Sequence, residues 1–171
     1  MIVSDSTPLI YLAKLGRLQL LQDLFGEVRV SAEVMKEIVR GKQHGFGDAT
    51  TIENASSDGW LKVIGLNASQ RRRLSKLRHM FPDISEADAS ALVLAKDLKV
   101  PLCVDDNRAV KVAEVMKLKH VGTLGIILIS VKRNLMRKDQ AEGLILSLPE
   151  HGFYIGPDLL SEFLKQLRKA Q

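Results

Sequence analysis

The chain has 171 residues, 46% hydrophobic and 26% charged, with a formal net charge of +5 and a pI near 9.4. That describes one long globular domain with its own core, and it excludes a disordered or fibrous chain. A single cysteine, Cys103, excludes a disulfide framework and a Cys-His zinc cluster, and the mild basic excess suits a polyanionic partner.

In chain order, Ile2-Val3 reads as a short buried strand. Thr7-Pro8 then predicts a helix start, with Thr7 as N-cap, Pro8 at the first helical position and a break at Gly16. The N-terminus lacks the basic and apolar regions of a signal peptide. Val28-Arg29-Val30 alternates and predicts a second strand, after which Ser31 caps a helix carrying Val34, Met35, Ile38 and Val39. Residues 41–59 are the least regular, punctuated by Gly41, Gly45, Gly47 and Gly59, with room for a polar helix over 48–57.

Trp60 to Ile64 predicts an edge-like strand, and Asn67 to Met80 a strongly basic helix. Ser85 opens the next helix, with Ala87, Ala91, Leu94 and Leu98 on one face. Val100 to Val104 is a buried strand that holds Cys103 as a small core residue. A helix follows over 107–117, then a short strand at His120-Val121, then a helix capped by Thr123. Its apolar run, Leu124 to Val131, is far too short to span a bilayer, so a cytoplasmic protein is expected. Helices over 137–147 and 158–168 complete the chain. The alternation predicts an α/β fold, a three-layer α/β/α sandwich with a mostly parallel central sheet over residues 1–135. Residues 136–171 are expected as a helical extension packed on the same domain.

Four acidic stations stand along this pattern: Asp5, Glu37, Glu86/Asp88 and Asp105/Asp106. The first and last follow apolar strands, which places them at the sheet rim where parallel α/β proteins build sites. Converging carboxylates repel unless a divalent cation sits between them, and oxygen donors suit Mg²⁺ or Mn²⁺. Each station also has an ordinary explanation. Asp5 and Glu86 suit helix N-termini, and Glu37 suits a surface ion pair. Ser85 and Asp88 spell a capping box. Glu86 and Asp88 point about 200° apart on a helix, so both cannot face one site. Adjacent Asp105 and Asp106 are the hardest to explain structurally, with Arg108 and Lys111 the nearest cations in sequence.

The chemistry that fits is metal-assisted phosphodiester hydrolysis with one or two ions. His44, His79, His120 and His151 have no zinc-ligand spacing, and no phosphate-binding Gly-Lys loop is present. A phosphatase-like pocket would want Asp-x-Asp after the first strand, where Asp5-Ser6-Thr7 stands. The basic run Arg71-Arg72-Arg73 is either a solvated helix face or a guide for a phosphate backbone.

The segments Val3-Ser4-Asp5-Ser6-Thr7-Pro8-Leu9-Ile10, Val34-Met35-Lys36-Glu37-Ile38, Ser85-Glu86-Ala87-Asp88-Ala89 and Leu102-Cys103-Val104-Asp105-Asp106-Asn107-Arg108, in that order, resemble the PIN-domain family. Val121-Gly122-Thr123-Leu124-Gly125-Ile126-Ile127 resembles a prokaryotic subfamily related to VapC-type toxins. The resemblance implies a Mg²⁺- or Mn²⁺-dependent ribonuclease cutting single-stranded RNA, often a homodimer, and for toxin members a cognate antitoxin. It places Asp5 and Glu37 as the first two acids. Asp88 with Asp106 are the first choice for the third and fourth, and Glu86 and Asp105 the alternatives. Arg71, Arg72, Arg73 and Arg108 are candidate RNA guides. The hydroxyl residue usual before the fourth acid is replaced by Val104, which also admits a catalytically inactive module that binds RNA or a protein.

Overall fold

The computed structural model describes residues 1–42 and 48–170. Five strands, β1 (Ile2–Ser4), β2 (Val28–Ser31), β3 (Leu61–Ile64), β4 (Leu102–Cys103) and β5 (His120–Val121), form one parallel sheet in the order β3-β2-β1-β4-β5. The chain leaves β1 in one direction to lay down β2 and β3, then crosses back to place β4 on the other side of β1. The β1/β4 boundary is therefore the topological switch point, where helices leave in opposite directions and a crevice opens beyond the strand ends. Asp5 follows β1 there and Asp105 follows β4.

The register holds the two together: Val3 is opposite Leu102 and Ser4 opposite Cys103. The ladder runs one step beyond the strand, as the Asp5 amide donates to the Cys103 carbonyl at 2.9 Å. β1 and β4 are fully buried, in keeping with their unbroken apolar sequence. β3, the expected edge strand, pairs on one side only.

Helix α1 (Ser6–Lys14) starts two residues earlier than the Thr7-Pro8 pattern predicts. Asp5 takes the N-cap place, which puts Pro8 third in the helix. That is where an N-cap side chain usually finds its backbone N–H, and proline has none. The Asp5 carboxylate accordingly makes no capping bond and is left for other work.

Helix α2 (Gln19–Phe25) leads to β2, and α3 (Ala32–Lys42) starts with the Ser31 hydroxyl accepting from the Val34 amide at 3.0 Å. Helix α4 (Asp48–Ser57) occupies the expected polar stretch. Gly45, Gly47 and His44 lie outside the described residues.

Helices α5 (Ala68–Met80), α6 (Glu86–Leu98) and α7 (Asn107–Val115) pack side by side, with α6 laid across β1, β2 and β4. The sequence predicts one apolar face on α6. In fact residues Ala87 and Ala89 through Ala95 are all buried. Its alanines and serine let the sheet, α3, α5 and α7 all approach closely. Leu94, 1% exposed, lies in this layer. Leu94→Ala is expected to cost roughly 2–5 kcal/mol, read as a lower urea midpoint at unchanged slope.

On the other side, α8 (Thr123–Lys132) contacts α1 and α2. The chain ends in α9 (Lys138–Ser147), a 3₁₀ turn (Leu148–His151) and α10 (Pro157–Lys169), which pack on α8 and one another. Ile145, Leu148, Phe163 and Leu167 are buried there, so these residues join the same core. The result is a three-layer α/β/α sandwich.

Candidate active site

Asp5 is the buried centre of the switch point, 2% exposed, and its Oδ1 has no hydrogen-bond partner. Its carboxyl is held well above the usual range. Burial is the largest cause and the Asp88 charge the next; the Ser6 amide opposes them and Glu37 adds to them. A buried carboxylate oxygen without a donor is costly; among the described residues Glu33 Oε2 and Asp48 Oδ2 share this state, but only Asp5 has it beside two further acids.

Glu37 reaches this centre from α3. It is exposed, and its Oε1 accepts from the Ser6 hydroxyl at 2.5 Å. Ser6 thus ties the first acid's neighbour to the second acid. Glu33, one turn earlier, is instead approached by Arg71 at 3.6 Å.

Asp88 forms the expected capping box. Its amide donates to Ser85 Oγ at 3.0 Å and its Oδ2 accepts from the Ser85 amide at 3.1 Å. The capping does not remove it from the site, since its charge is the main electrostatic influence on Asp5. One carboxylate thus serves both as a helix cap and as a neighbour of Asp5. Glu86, at the first position of α6, is exposed and makes no hydrogen bond or ion pair among the described residues.

Asp105 and Asp106 part company. Asp106 is the N-cap of α7: its Oδ1 accepts from the Arg108 amide at 2.9 Å and the Ala109 amide at 3.1 Å, and Arg108 Nε stands 3.6 Å away. Asp105 turns to the neighbouring strand end. Its Oδ1 accepts from the Thr123 amide at 2.8 Å and its Oδ2 from the Thr123 hydroxyl at 2.6 Å. Burial raises the Asp105 carboxyl, and the two Thr123 bonds pull it down. Its charge acts on Tyr11 and on buried Cys103, which also feels Asp5.

The structure therefore gathers Asp5, Asp88 and Glu37, sets Asp105 on the adjoining strand end, and has Asp106 capping α7 through one oxygen. Among the described residues, no three His, Cys, Asp or Glu side chains stand at metal-holding spacing. The donor set nonetheless suits a hard divalent cation. Every candidate donor is a carboxylate oxygen, one is buried and unpartnered, and the mutual repulsion of the acids is what a cation would relieve.

The basic residues also divide. Arg73 forms a two-pronged pair with Asp97, with Nη2 to Oδ2 at 2.8 Å. Arg71 donates to the Leu66 carbonyl at 3.0 Å. Arg72 is exposed and has no partner among the described residues.

The sequence pattern does not assign Gly122 and Thr123 their place beside Asp105. Thr123 was expected as a helix cap, but the N-cap is Gly122, and the threonine hydroxyl serves Asp105. The available signal was a Gly-Thr pair directly after the last strand, at the rim that holds the acids.

An all-parallel α/β/α sandwich with carboxylates at its switch point defines the class of protein. A profile of the PIN-domain family matches residues 1–169, and the chain belongs to that family. PIN domains are in general nucleases and typically use divalent metals. No curated protein matches the chain in a sequence comparison. No helix among the described residues is long and apolar enough to cross a membrane.

Proposed function

We propose that this chain is a Mg²⁺- or Mn²⁺-dependent endoribonuclease that hydrolyses single-stranded RNA. The observation that carries the reading is the buried, unpartnered Asp5 oxygen beside Asp88 and Glu37. Asp5, Asp88 and Asp105 would hold the cation, and Glu37 would hold it or orient the attacking water. Bound there, the cation would supply activation of water for attack on phosphorus and neutralisation of phosphate charge.

The chain's own residues do the rest. Ser6 fixes the Glu37 carboxylate by its hydroxyl, leaving the other oxygen open to accept a proton from water. Asp5 is anchored by its amide in the sheet ladder, so its carboxylate has little freedom to swing away. The net positive charge draws the RNA backbone toward a site whose acids alone would repel it. Against the inactive-module alternative, which the missing hydroxyl at Val104 suggests, stands the Thr123 hydroxyl that Asp105 receives.

The test is cleavage of a labelled single-stranded RNA with Mn²⁺ or Mg²⁺ and with EDTA. Metal-dependent cutting supports the reading; RNA that binds equally well in EDTA and is never cut would sink it. Arg72, without a partner among the described residues, is the preferred guide of the basic triplet. Arg72→Ala is expected to weaken RNA binding several-fold and lower the slope of log affinity against log salt by about 0.7. A salt titration by fluorescence anisotropy checks this.

A further inference from the structure

We propose that Thr123 is the positioning residue for Asp105, and that Gly122 is glycine to admit that carboxylate. The proposal rests on the reading of this site as a nuclease centre. Three observations carry it. Thr123 is fully buried and gives Asp105 both of its donors, one to each oxygen. Two bonds from one residue fix the plane of a carboxylate as well as its place, while each oxygen keeps a lone pair for another partner. Next, α8 has no side-chain cap of its own from Gly122, so Asp105 takes up its first amide from a different strand end. The anion then sits at the positive end of the α8 dipole.

The third observation is steric. A Cβ at residue 122 would lie 2.5 Å from Asp105 Oδ1 and 3.3 Å from the Val104 carbonyl oxygen. The Gly122 backbone, at φ −100° and ψ 179°, is one that any residue adopts. Glycine is thus required here by the approach of the carboxylate and not by the turn. The hydroxyl that Val104, just past β4, cannot offer comes from Thr123, just past β5.

A purely structural tertiary cap for α8 would show the same bonds, so the test separates stability from site geometry. Thr123→Val keeps the shape and removes the hydroxyl; Thr123→Ser keeps the hydroxyl. For Thr123→Val, calorimetric Mn²⁺ affinity is expected to fall about 10- to 100-fold. The kcat for RNA should fall with little change in KM, and Thr123→Ser should recover both to within a few-fold. A folded Thr123→Val protein with wild-type Mn²⁺ affinity and kcat would overturn the proposal. Crystal structures judge it without reference to activity. The Asp105 carboxylate should be displaced in Thr123→Val and in Gly122→Ala and remain in place in Thr123→Ser; an unmoved carboxylate in both of the first two would overturn it. Wild-type protein that neither binds Mn²⁺ nor cuts RNA would overturn the nuclease reading alone.

Discussion

Asp5→Asn is expected to lower metal-dependent RNA cleavage by roughly 100- to 1000-fold and to raise the thermal stability of the metal-free protein. The two effects share one cause. Asp5 is buried with an unpartnered oxygen beside Asp88 and Glu37, an arrangement that costs the folded chain free energy. Asparagine keeps the shape, removes a negative charge and offers N–H donors to the neighbouring carboxylates. The gain is expected at about 0.5–2 kcal/mol, the range for relief of a strained functional site.

The pH dependence follows from the direction of the shift. A carboxyl whose folded pKa lies above its unfolded value contributes stability that is complete below the unfolded value. That contribution is lost as pH rises through the raised folded value. Metal-free wild type should therefore lose stability over that interval, and Asp5→Asn should lose less, so the gap between them widens with pH. Melting curves at a series of pH values in EDTA check this. A variant less stable than wild type at neutral pH would contradict the electrostatic account of the site.

The second large effect separates the adjacent pair. Asp105→Asn is expected to reduce turnover by about 100-fold or more, since it alters the carboxylate that Thr123 holds at the switch point. Asp106→Ala should leave turnover within a few-fold of wild type and cost about 1 kcal/mol of stability, the usual loss for an N-cap. Turnover and urea midpoints measured on both variants give opposite patterns: one protein inactive and stable, the other active and weakened. The reverse pattern would make Asp106 the working acid.

Much of the fold was legible because the relevant signals are local. The apolar runs at Ile2-Val3 and Val100 to Val104, and the helical periods between strands, depend on neighbours a few residues away. The capping box at Ser85 is read from four consecutive residues, and it forms. The start of α1 was less clear because Asp5, Ser6 and Thr7 are all good caps and Pro8 suits more than one early position.

What stayed hidden depends on residues distant in sequence. The bonds that distinguish Asp105 from Asp106 come from Thr123, 18 positions on. The pairing of Arg73 is set by Asp97, 24 positions on, so a triplet of equal arginines becomes three different residues. The burial of α6 on nearly all sides reflects three helices and three strands around it that no local pattern records.

The central claim is that the carboxylates at the β1/β4 switch point form one cation site, and a crystal grown with Mn²⁺ tests it most directly. The expected result is an anomalous peak ligated by Asp5, with Asp88 and Asp105 at its side, and Asp106 still capping α7. Manganese found only elsewhere, with Asp5 left unligated, would contradict it.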